Sequence, residues 1–412
     1  MNVVIVASGS HGDVAPYAGL GVRLREAGHE VSIAAHAPMA ELVTGAGLGF
    51  HELPGDLLSV ISVPAADRPT PPWYLNRRIP QLSRYLLAVA EGTIEATRDA
   101  EVVLVGGATP FAVHAAQGRG VPSLGVYLQP FEPTGALPCP MTNSGRSLGR
   151  FGNRWIGELL TAGLYPYTRA GARIREHFGL PPESAIATRR RLRAERWPIF
   201  HGFSPAVLPR PDDWRPGLEV TGYWWPPEPT GWVPPAELSA FLAAGDPPVL
   251  VTLGSMASGA GPWLTRAIEG AVRRAGVRAV VQSGWAGIEI DGSDDIVTIG
   301  AVPHAWLMPK VAAVVHHGGA GTTGAGLRAG VPTVTTPVYA DQPLWGGRVA
   351  ALGVGPAPVP FRRLTADHLG AAIRAAVTDR GFAERAAALA RVIATEDGAA
   401  PVVEAVNRLA GR

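Results

Sequence analysis

The sequence is poor in features that define several common classes of protein. Its 412 residues include one cysteine, Cys139, so neither an internal disulfide nor a cysteine-based metal cluster can form. We therefore expect a reducing, cytoplasmic location. No secretory signal pattern is present. No apolar run reaches the roughly 18 residues that a membrane-spanning helix needs.

An excess of charge of one sign is also missing. Lysine and arginine total 36 against 34 aspartate and glutamate residues, and Lys310 is the single lysine. Nucleic-acid binding needs a concentrated basic surface, so we expect no nucleic-acid partner. The composition is 47% hydrophobic and 17% charged, which is typical of a globular protein rather than a disordered one. The length suits two or three domains of about 150 residues.

Alternating strand and helix patterns indicate parallel sheets. Near the N-terminus a buried strand, a polar turn at residues 8–13, a helix ending at Gly28 and a second strand form a βαβ unit. A similar alternation begins again near residue 248. Strands are predicted at residues 3–6, 31–35, 102–105, 123–127, 249–253, 279–282, 296–299, 312–315 and 333–335.

These patterns predict an α/β protein with two Rossmann-like, doubly wound domains that face a central cleft. We assign residues 1–225 to an N-terminal domain and residues 237–412 to a C-terminal domain. The proline-rich residues 226–236 form a stiff linker between them. We expect the last helix to pack back on the N-terminal domain.

A glycine-rich loop gives the strongest chemical signal. The run His316-His-Gly-Gly-Ala-Gly-Thr-Thr323 follows a predicted strand and precedes a predicted helix. Glycines allow a ligand close to the backbone, and free N–H groups at a helix start favour an anion. His317 and the two threonines add further donors. The Gly-Lys-Ser/Thr ending of a P-loop is missing, so we do not expect ATP hydrolysis.

Two further regions suggest binding of a polar and an apolar ligand group. Asp341 and Gln342 follow a predicted strand and suit the vicinal hydroxyls of a sugar. The least regular segments, residues 53–80 and 128–170, are rich in aromatic side chains, including Trp73 and Phe131. These aromatics either cover the core or line an apolar substrate pocket.

The run from His317 to Thr322, followed by Asp341-Gln342, resembles the donor-binding region of the UDP-glycosyltransferase superfamily. Residues 9–14, 221–225, 283–285 and 302–306 extend the resemblance to bacterial sterol and natural-product glycosyltransferases. The resemblance implies a GT-B fold, in which the N-terminal domain (residues 1–225) binds the acceptor and the C-terminal domain (residues 237–412) binds the donor. It also implies a metal-independent, inverting transfer from a nucleotide sugar. The sequence also lacks the Asp-x-Asp metal motif of the other main transferase fold.

The resemblance also implies roles for individual residues. Asp341 and Gln342 are expected to bind the sugar, Ser255 to reach a phosphate, and Val302 to contact the base through its backbone. Ala301 replaces the family's base-stacking tryptophan, so Trp285 or Trp306 either stacks on the base or packs in the core. The expected diphosphate-binding residues are His317, Gly319, Ala320, Gly321 and Thr322.

Asp13 occupies the family's general-base position. An unperturbed aspartate, with a pKa near 3.9, is a weak base toward an alcohol, and the alternative role for Asp13 is to cap the first helix. His11 is the rival base. The supporting carboxylate found in plant relatives is not expected, because the corresponding strand ends in Val105-Gly106-Gly107.

The expected activity is hexosyl transfer from a dTDP- or UDP-sugar to a hydroxyl of an apolar natural product, such as a polyketide in antibiotic biosynthesis. Ala325 replaces the family's ribose-binding glutamate, so a ribose 2′-hydroxyl has no carboxylate partner there. Both dTDP and UDP are therefore admissible as the donor nucleotide. A sterol or lipid glucosyltransferase is the alternative, followed by an epimerase, a non-catalytic auxiliary protein and a dinucleotide oxidoreductase. No cofactor is expected, and the protein is either a monomer or a homodimer.

Overall fold

The computed structural model describes residues 1–55, 72–162, 165–229, 231–254, 261–284, 288, 290 and 294–411. Within these ranges the chain forms two parallel sheets, which confirms the predicted α/β class with two Rossmann-like units. Helices cover each sheet, and their apolar side chains pack against those of the strands. No helix in these ranges combines the length and apolar character needed to cross a bilayer.

The first sheet has seven strands in the order β3-β2-β1-β4-β5-β6-β7. All neighbouring pairs are parallel, and the side chains of Val3 to Val6 are buried, as expected for a strand covered on both faces. Its strands are β1 (Asn2–Val6), β2 (Glu30–Ala35), β3 (Gly49–Glu52), β4 (Val102–Gly106), β5 (Ser123–Tyr127), β6 (Ile199–His201) and β7 (Leu218–Val220).

Helices of this half connect the strands and cover both faces of the sheet. They are α1 (His11–Glu26), α2 (Ala40–Gly45), α3 (Pro72–Ala96), α4 (Val113–Arg119), α5 (Gly149–Ala162), α6 (Tyr165–His177) and α7 (Ala185–Ala194).

The second sheet has five parallel strands in the order β10-β9-β8-β11-β12. They are β8 (Val249–Thr252), β9 (Ala279–Gln282), β10 (Ile296–Ile299), β11 (Ala313–His316) and β12 (Thr333–Thr335). The helices of this half are α8 (Ala236–Ala243), α9 (Gly261–Ala275), α10 (His304–Leu307), α11 (Ala320–Ala329), α12 (Gln342–Leu352), α13 (Ala366–Thr378), α14 (Arg380–Ile393) and α15 (Ala400–Ala410).

The C-terminal helix packs on the first sheet rather than the second. Val402 and Val406 of α15 belong to the same buried cluster as Val3 and Leu20. The segment that returns to the first sheet is held just before α15, where the indole N–H of Trp224 donates to the Gly398 carbonyl over 2.8 Å. The chain therefore connects the two halves both near residue 225 and near residue 398.

Several elements differ from the sequence-based expectation. Strand β11 ends at His316, one residue later than predicted, so that histidine is buried in the sheet and only His317 starts the loop. Strands β3, β6 and β7 were not predicted, because three or four residues are too short for a periodic pattern. The segments expected to be irregular contain the first part of α3, all of α5 and part of α6.

Candidate active site

The central cleft lies where the strand order reverses in both sheets. In the first sheet β1 pairs with both β2 and β4, and in the second β8 pairs with both β9 and β11. Ligands of doubly wound sheets bind beyond the strand ends at these reversal points. A methyl group placed on Gly321 of α11 would lie 3.4 Å from the carbonyl oxygen of Gly12 in α1. The first turns of α1 and α11 therefore face each other across the cleft.

Asp13 closes the first turn of α1. The helix begins at His11, so Asp13 is the third helical residue, and the cap position belongs to Ser10. Its Oδ2 accepts hydrogen bonds from the Ser10 amide over 2.8 Å and the Ser10 hydroxyl over 2.9 Å. At Gly9, with φ at 152°, an added Cβ would lie 2.3 Å from the Cβ of Asp13. Only glycine allows this close turn.

The surroundings of Asp13 favour its action as a base. Burial raises its pKa above the ordinary value of 3.8, against the opposing effect of the hydrogen bonds from Ser10. A higher pKa makes a carboxylate a stronger base toward an alcohol. Both hydrogen bonds that Asp13 accepts from described residues end on its Oδ2. The other carboxylate oxygen, Oδ1, is therefore available to a ligand in the cleft.

His11 lies at the exposed start of α1, and partial burial of its ring lowers its pKa. It lies near His304 of the second domain, whose pKa is lowered to about 4, first by burial and then by the charge of His11. His304 belongs to the motif at residues 302–306, but no separate feature of the sequence predicts that it lies at the cleft. Its signal was its position directly after Val302-Pro303 at the start of a helix.

The start of α11 presents unused backbone donors. Gly319 caps the helix, and the first capping bond runs from the Thr323 amide to the Gly319 carbonyl over 2.9 Å. Within the described ranges the amides of Ala320, Gly321 and Thr322 have no acceptor, as is usual in a first helical turn. Three free N–H groups at the positive end of a helix are suited to binding an anion.

His317 lies between the two glycine turns of the second sheet. A Cβ on Gly319 would lie 2.4 Å from its Nε2, and one on Gly254 would lie 3.0 Å from its Cε1. Burial, followed by the charge of His304, lowers the pKa of His317 to about 4, so the ring is neutral at neutral pH. Its buried Nδ1 has no hydrogen-bond partner among the described residues.

Asp341 and Gln342 stand at the start of α12. Oδ2 of Asp341 accepts the indole N–H of Trp345 over 2.7 Å. Burial, and to a smaller extent the charge of Asp13, raise the pKa of Asp341 to about 6. Oε1 of Gln342 accepts the backbone amides of Val338 and Tyr339 over 2.8 and 3.2 Å. That oxygen shapes the loop, so only the amide nitrogen of Gln342 remains for a ligand.

The structure describes some of the other predicted site residues and not others. Val302 is buried just before α10, and the ring of Phe131 lies 3.5 Å from the position of a Cβ on Gly107 at the end of β4. Trp306 packs edge-to-face against Trp232 with ring centres 5.2 Å apart, which is the core-packing alternative. Ser255, Trp285 and the side chain of Trp73 lie outside the described residues.

One hydrogen-bonded cluster near Asp13 was missed by the sequence reasoning. The hydroxyl of Tyr85 lies 2.5 Å from Ser8 Oγ and 2.7 Å from His36 Nε2, and all three side chains are buried. Ser8 and His36 follow β1 and β2, so the cluster supports the loop that leads to Asp13. Nothing in the sequence pairs Tyr85, in α3, with these strand ends.

Two facing Rossmann-like sheets, with a helix start carrying free amides opposite a carboxylate, define the GT-B class of glycosyltransferases. Comparison with known proteins agrees with this class. The glycosyltransferase family 28 N-terminal domain matches residues 3–124, and the erythromycin biosynthesis protein CIII-like C-terminal domain matches residues 290–409.

Relatives extend over nearly the whole chain. O-mycaminosyltylonolide 6-deoxyallosyltransferase of Streptomyces fradiae is 36% identical over 97% of this chain and 95% of its own length. Sterol 3-beta-glucosyltransferase UGT80A2 of Arabidopsis thaliana is 30% identical over 98% of this chain, which spans 65% of that relative. The chain therefore belongs to the UDP-glycosyltransferase superfamily of GT-B glycosyltransferases.

Solved structures show the same fold. The glycosyltransferase of kitacinnamycin superposes with a TM-score of 0.70 at 20% identity, covering 99% of this chain and 98% of that one. The Streptomyces sp. SF2575 glycosyltransferase SsfS6, complexed with thymidine diphosphate, gives a TM-score of 0.66 at 22% identity and covers 99% of each chain.

Proposed function

We propose that this protein transfers a hexose, with inversion and without a metal ion, from a nucleoside diphosphate sugar to a hydroxyl of an apolar small molecule. One observation carries the proposal. The first turn of α1, which carries the Asp13 carboxylate, lies beside the first turn of α11, which carries the free amides. A base for the acceptor and an anion site for the leaving group are the two parts that such a transfer needs.

The second domain would hold the donor. The amides of Ala320, Gly321 and Thr322 bind the diphosphate, and the helix dipole adds up to about 2 kcal/mol in a partly buried site. His317, whose pKa is lowered to about 4 by burial and by the charge of His304, is neutral at neutral pH and donates one ring N–H. These donors stabilise the charge that develops on the departing diphosphate. Asp341 and the amide nitrogen of Gln342 bind the sugar hydroxyls.

The first domain would supply the base. Oδ1 of Asp13 accepts the proton of the acceptor hydroxyl while that oxygen bonds to the anomeric carbon. The bond from the anomeric carbon to the diphosphate oxygen breaks at the same time, and the diphosphate leaves with the electron pair. Because the acceptor and the leaving group occupy opposite sides of the sugar, the configuration at the anomeric carbon inverts.

We propose dTDP as the donor nucleotide. Ala325 lies on α11 and packs against the apolar cluster of the second domain, so this position offers no carboxylate to a ribose 2′-hydroxyl. A deoxyribose lacks that hydroxyl. SsfS6 was solved with thymidine diphosphate and VinC with dTDP, which supports the choice. Variant A325E is expected to shift the ratio of UDP-sugar to dTDP-sugar turnover toward UDP by about tenfold, the worth of one charged hydrogen bond.

For the acceptor we propose a macrolide or related polyketide of antibiotic biosynthesis, bound beside Phe131 and Trp73. The relative from Streptomyces fradiae, named for a tylonolide, supports this choice. A sterol is the second candidate, since the Arabidopsis relative is named for one.

The test is product formation from dTDP-glucose and UDP-glucose with a macrolide aglycone and with a sterol, followed by mass spectrometry. A β-linked product, read from the anomeric proton coupling in NMR, is expected from these α-linked donors. EDTA is expected to leave the rate unchanged. Hydrolysis of the nucleotide sugar without any transfer to either acceptor, or an α-linked product, would contradict the proposal.

A further inference from the structure

Helix α5 carries an apolar stripe that faces the solvent. Four residues in and just before the helix are exposed, and we call them the outer stripe: Leu148 at 58%, Phe151 at 85%, Trp155 at 58% and Leu159 at 51%. Their spacing of three, four and four residues places them on one side of a helix. An aligned set of large exposed apolar side chains marks an interaction surface rather than scattered surface residues.

The opposite side of α5 is firmly packed. Asn153 is 2% exposed, accepts the Leu148 amide over 2.8 Å and donates to the Gly135 carbonyl over 3.2 Å. One turn later, a Cβ on Gly157 would lie 3.1 Å from the Cβ of Pro133. Because these contacts orient the helix, the outer stripe points away from the loop that carries Phe131.

Positive charge lies beside the outer stripe. Arg146 and Arg150 are exposed and form no ion pair with any described carboxylate, while Arg154 contacts Asp213 at 3.4 Å. The nearest acidic residue of the helix, Glu158, is engaged by Arg189 and Arg193. The surface thus combines aromatic and aliphatic side chains with arginines whose charge is not neutralised.

We propose that the outer stripe of α5 docks this protein on the surface of an anionic lipid membrane. Tryptophan, phenylalanine and leucine beside arginine are the residues of helices that lie in the membrane interface. Two aromatic side chains bury about 150–250 Å² each. With two leucines this falls short of the roughly 800 Å² per partner of a stable protein interface. The arginines meet the negative headgroups.

Docking through α5 would hold the cleft close to the lipid. The segment before the helix reaches the second domain, where a Cβ on Gly145 would lie 2.7 Å from the carbonyl oxygen of Pro343, two residues after Asp341. The other end of this segment continues from the loop that carries Phe131. An apolar acceptor dissolved in the membrane would then be near its binding site; this last consequence rests on the proposed function, whereas membrane docking does not.

Vesicle flotation tests the proposal. The full chain is mixed with vesicles of phosphatidylcholine alone or of an equal mixture of phosphatidylcholine and phosphatidylglycerol. We expect flotation with the mixed vesicles, at least about tenfold weaker binding for F151E/W155E, and about fivefold weaker binding for each of R146Q and R150Q. V392E, which alters an exposed valine of α14 in the second domain, is the matched control and is expected to float like the wild type.

Three results would overturn the proposal. The first is no flotation of the wild type, and the second is flotation that F151E/W155E does not reduce. The third is a wild-type dimer in light scattering without lipid that F151E/W155E converts to a monomer, because a second copy would then cover the stripe. Circular dichroism checks that each variant is folded. Transfer to a water-soluble acceptor is expected to be unchanged in F151E/W155E, which separates lost docking from a failure of the proposed function.

Discussion

In the first sheet the helix at the cleft begins at His11, and in the second sheet the corresponding helix begins at Ala320. Both helices start at a point of strand reversal, and both are preceded by glycines. They differ at the third helical residue, which is Asp13 in α1 and Thr322 in α11. In α1 the carboxylate at this position is held by Ser10, whereas α11 keeps its first three amides free.

This difference shows how one local structure serves two purposes. A helix start attracts negative charge. In α1 the chain supplies that charge itself and thereby places a base at the cleft. In α11 the third residue is an uncharged hydroxyl, so the site is left for a charge that arrives with a ligand.

The largest effect is expected from D13N. Asparagine keeps the size of the side chain and one acceptor oxygen for Ser10, but it removes the base. We expect turnover to fall by about 10²–10⁴-fold, with nucleoside diphosphate affinity changed less than about twofold. Steady-state transfer rates and calorimetry measure the two quantities.

H11Q is the control for D13N, because His11 is the alternative base in the same turn. Its turnover is expected to stay within about threefold of the wild type, as the loss of a single exposed contact allows. If H11Q instead lost the activity and D13N kept it, the base would be His11 and Asp13 would serve only the helix start.

A smaller effect is expected when a methyl group is added to the glycine-rich loop before α11. In G319A the new Cβ would lie 2.4 Å from Nε2 of His317, so that ring must move. We expect about tenfold weaker binding of nucleoside diphosphate, the worth of one hydrogen bond to a charged group.

G12A adds the same methyl group to α1, where nothing lies within 4 Å of the new Cβ. Its binding is expected to match the wild type, and alanine also has a higher helix propensity than glycine. Equal losses in G12A and G319A would mean that any change in the cleft weakens binding, which contradicts a specific role for His317.

The smallest effect concerns stability. Burial raises the pKa of Asp341 to about 6 from the ordinary 3.8, so the folded state binds its proton more tightly than the unfolded state does. This carboxylate therefore costs stability as the pH rises from about 4 to 6. We expect D341N to raise the free energy of unfolding by about 1 kcal/mol at pH 7, or Tm by about 2–4 °C.

The expected gain of D341N disappears below pH 4, where the wild-type carboxyl is protonated in both states. Thermal unfolding across this pH range, without ligand, is the measurement. A gain that is the same at every pH would show that the substitution acts through packing beside Trp345 rather than through charge.

Much of the fold could be predicted from the sequence because buried parallel strands such as residues 3–6 and 249–252 are continuous apolar runs. The failures have local causes. His316 ends β11 because its ring is accommodated in the core, with Nδ1 accepting the Gly318 amide over 2.9 Å, and a polar residue gives no strand signal. Helix α5 was missed although its apolar residues recur at helical spacing, because Gly149, Gly152 and Gly157 lower its helix propensity.

The site could be predicted only where its residues are contiguous in the sequence. The residues from His317 to Thr322 are contiguous, so their common loop could be recognised. The opposition of Gly12 and Gly321 depends on how the two sheets are placed, which no local pattern encodes. The use of the Gln342 side-chain oxygen by the amides of residues 338 and 339 likewise appears only once that loop is folded.

Calorimetric titration of thymidine diphosphate into T322D tests the central claim most directly, because this substitution gives α11 the residue that α1 has. The new carboxylate is expected to accept the amide of the cap residue Gly319, as Asp13 accepts that of Ser10, and its charge to repel a ligand at the free amides. Affinity should then fall by about 100-fold or more, while T322V, which removes only the hydroxyl, loses less than about tenfold. Binding to T322D with wild-type affinity would contradict the claim that the first turn of α11 holds the diphosphate.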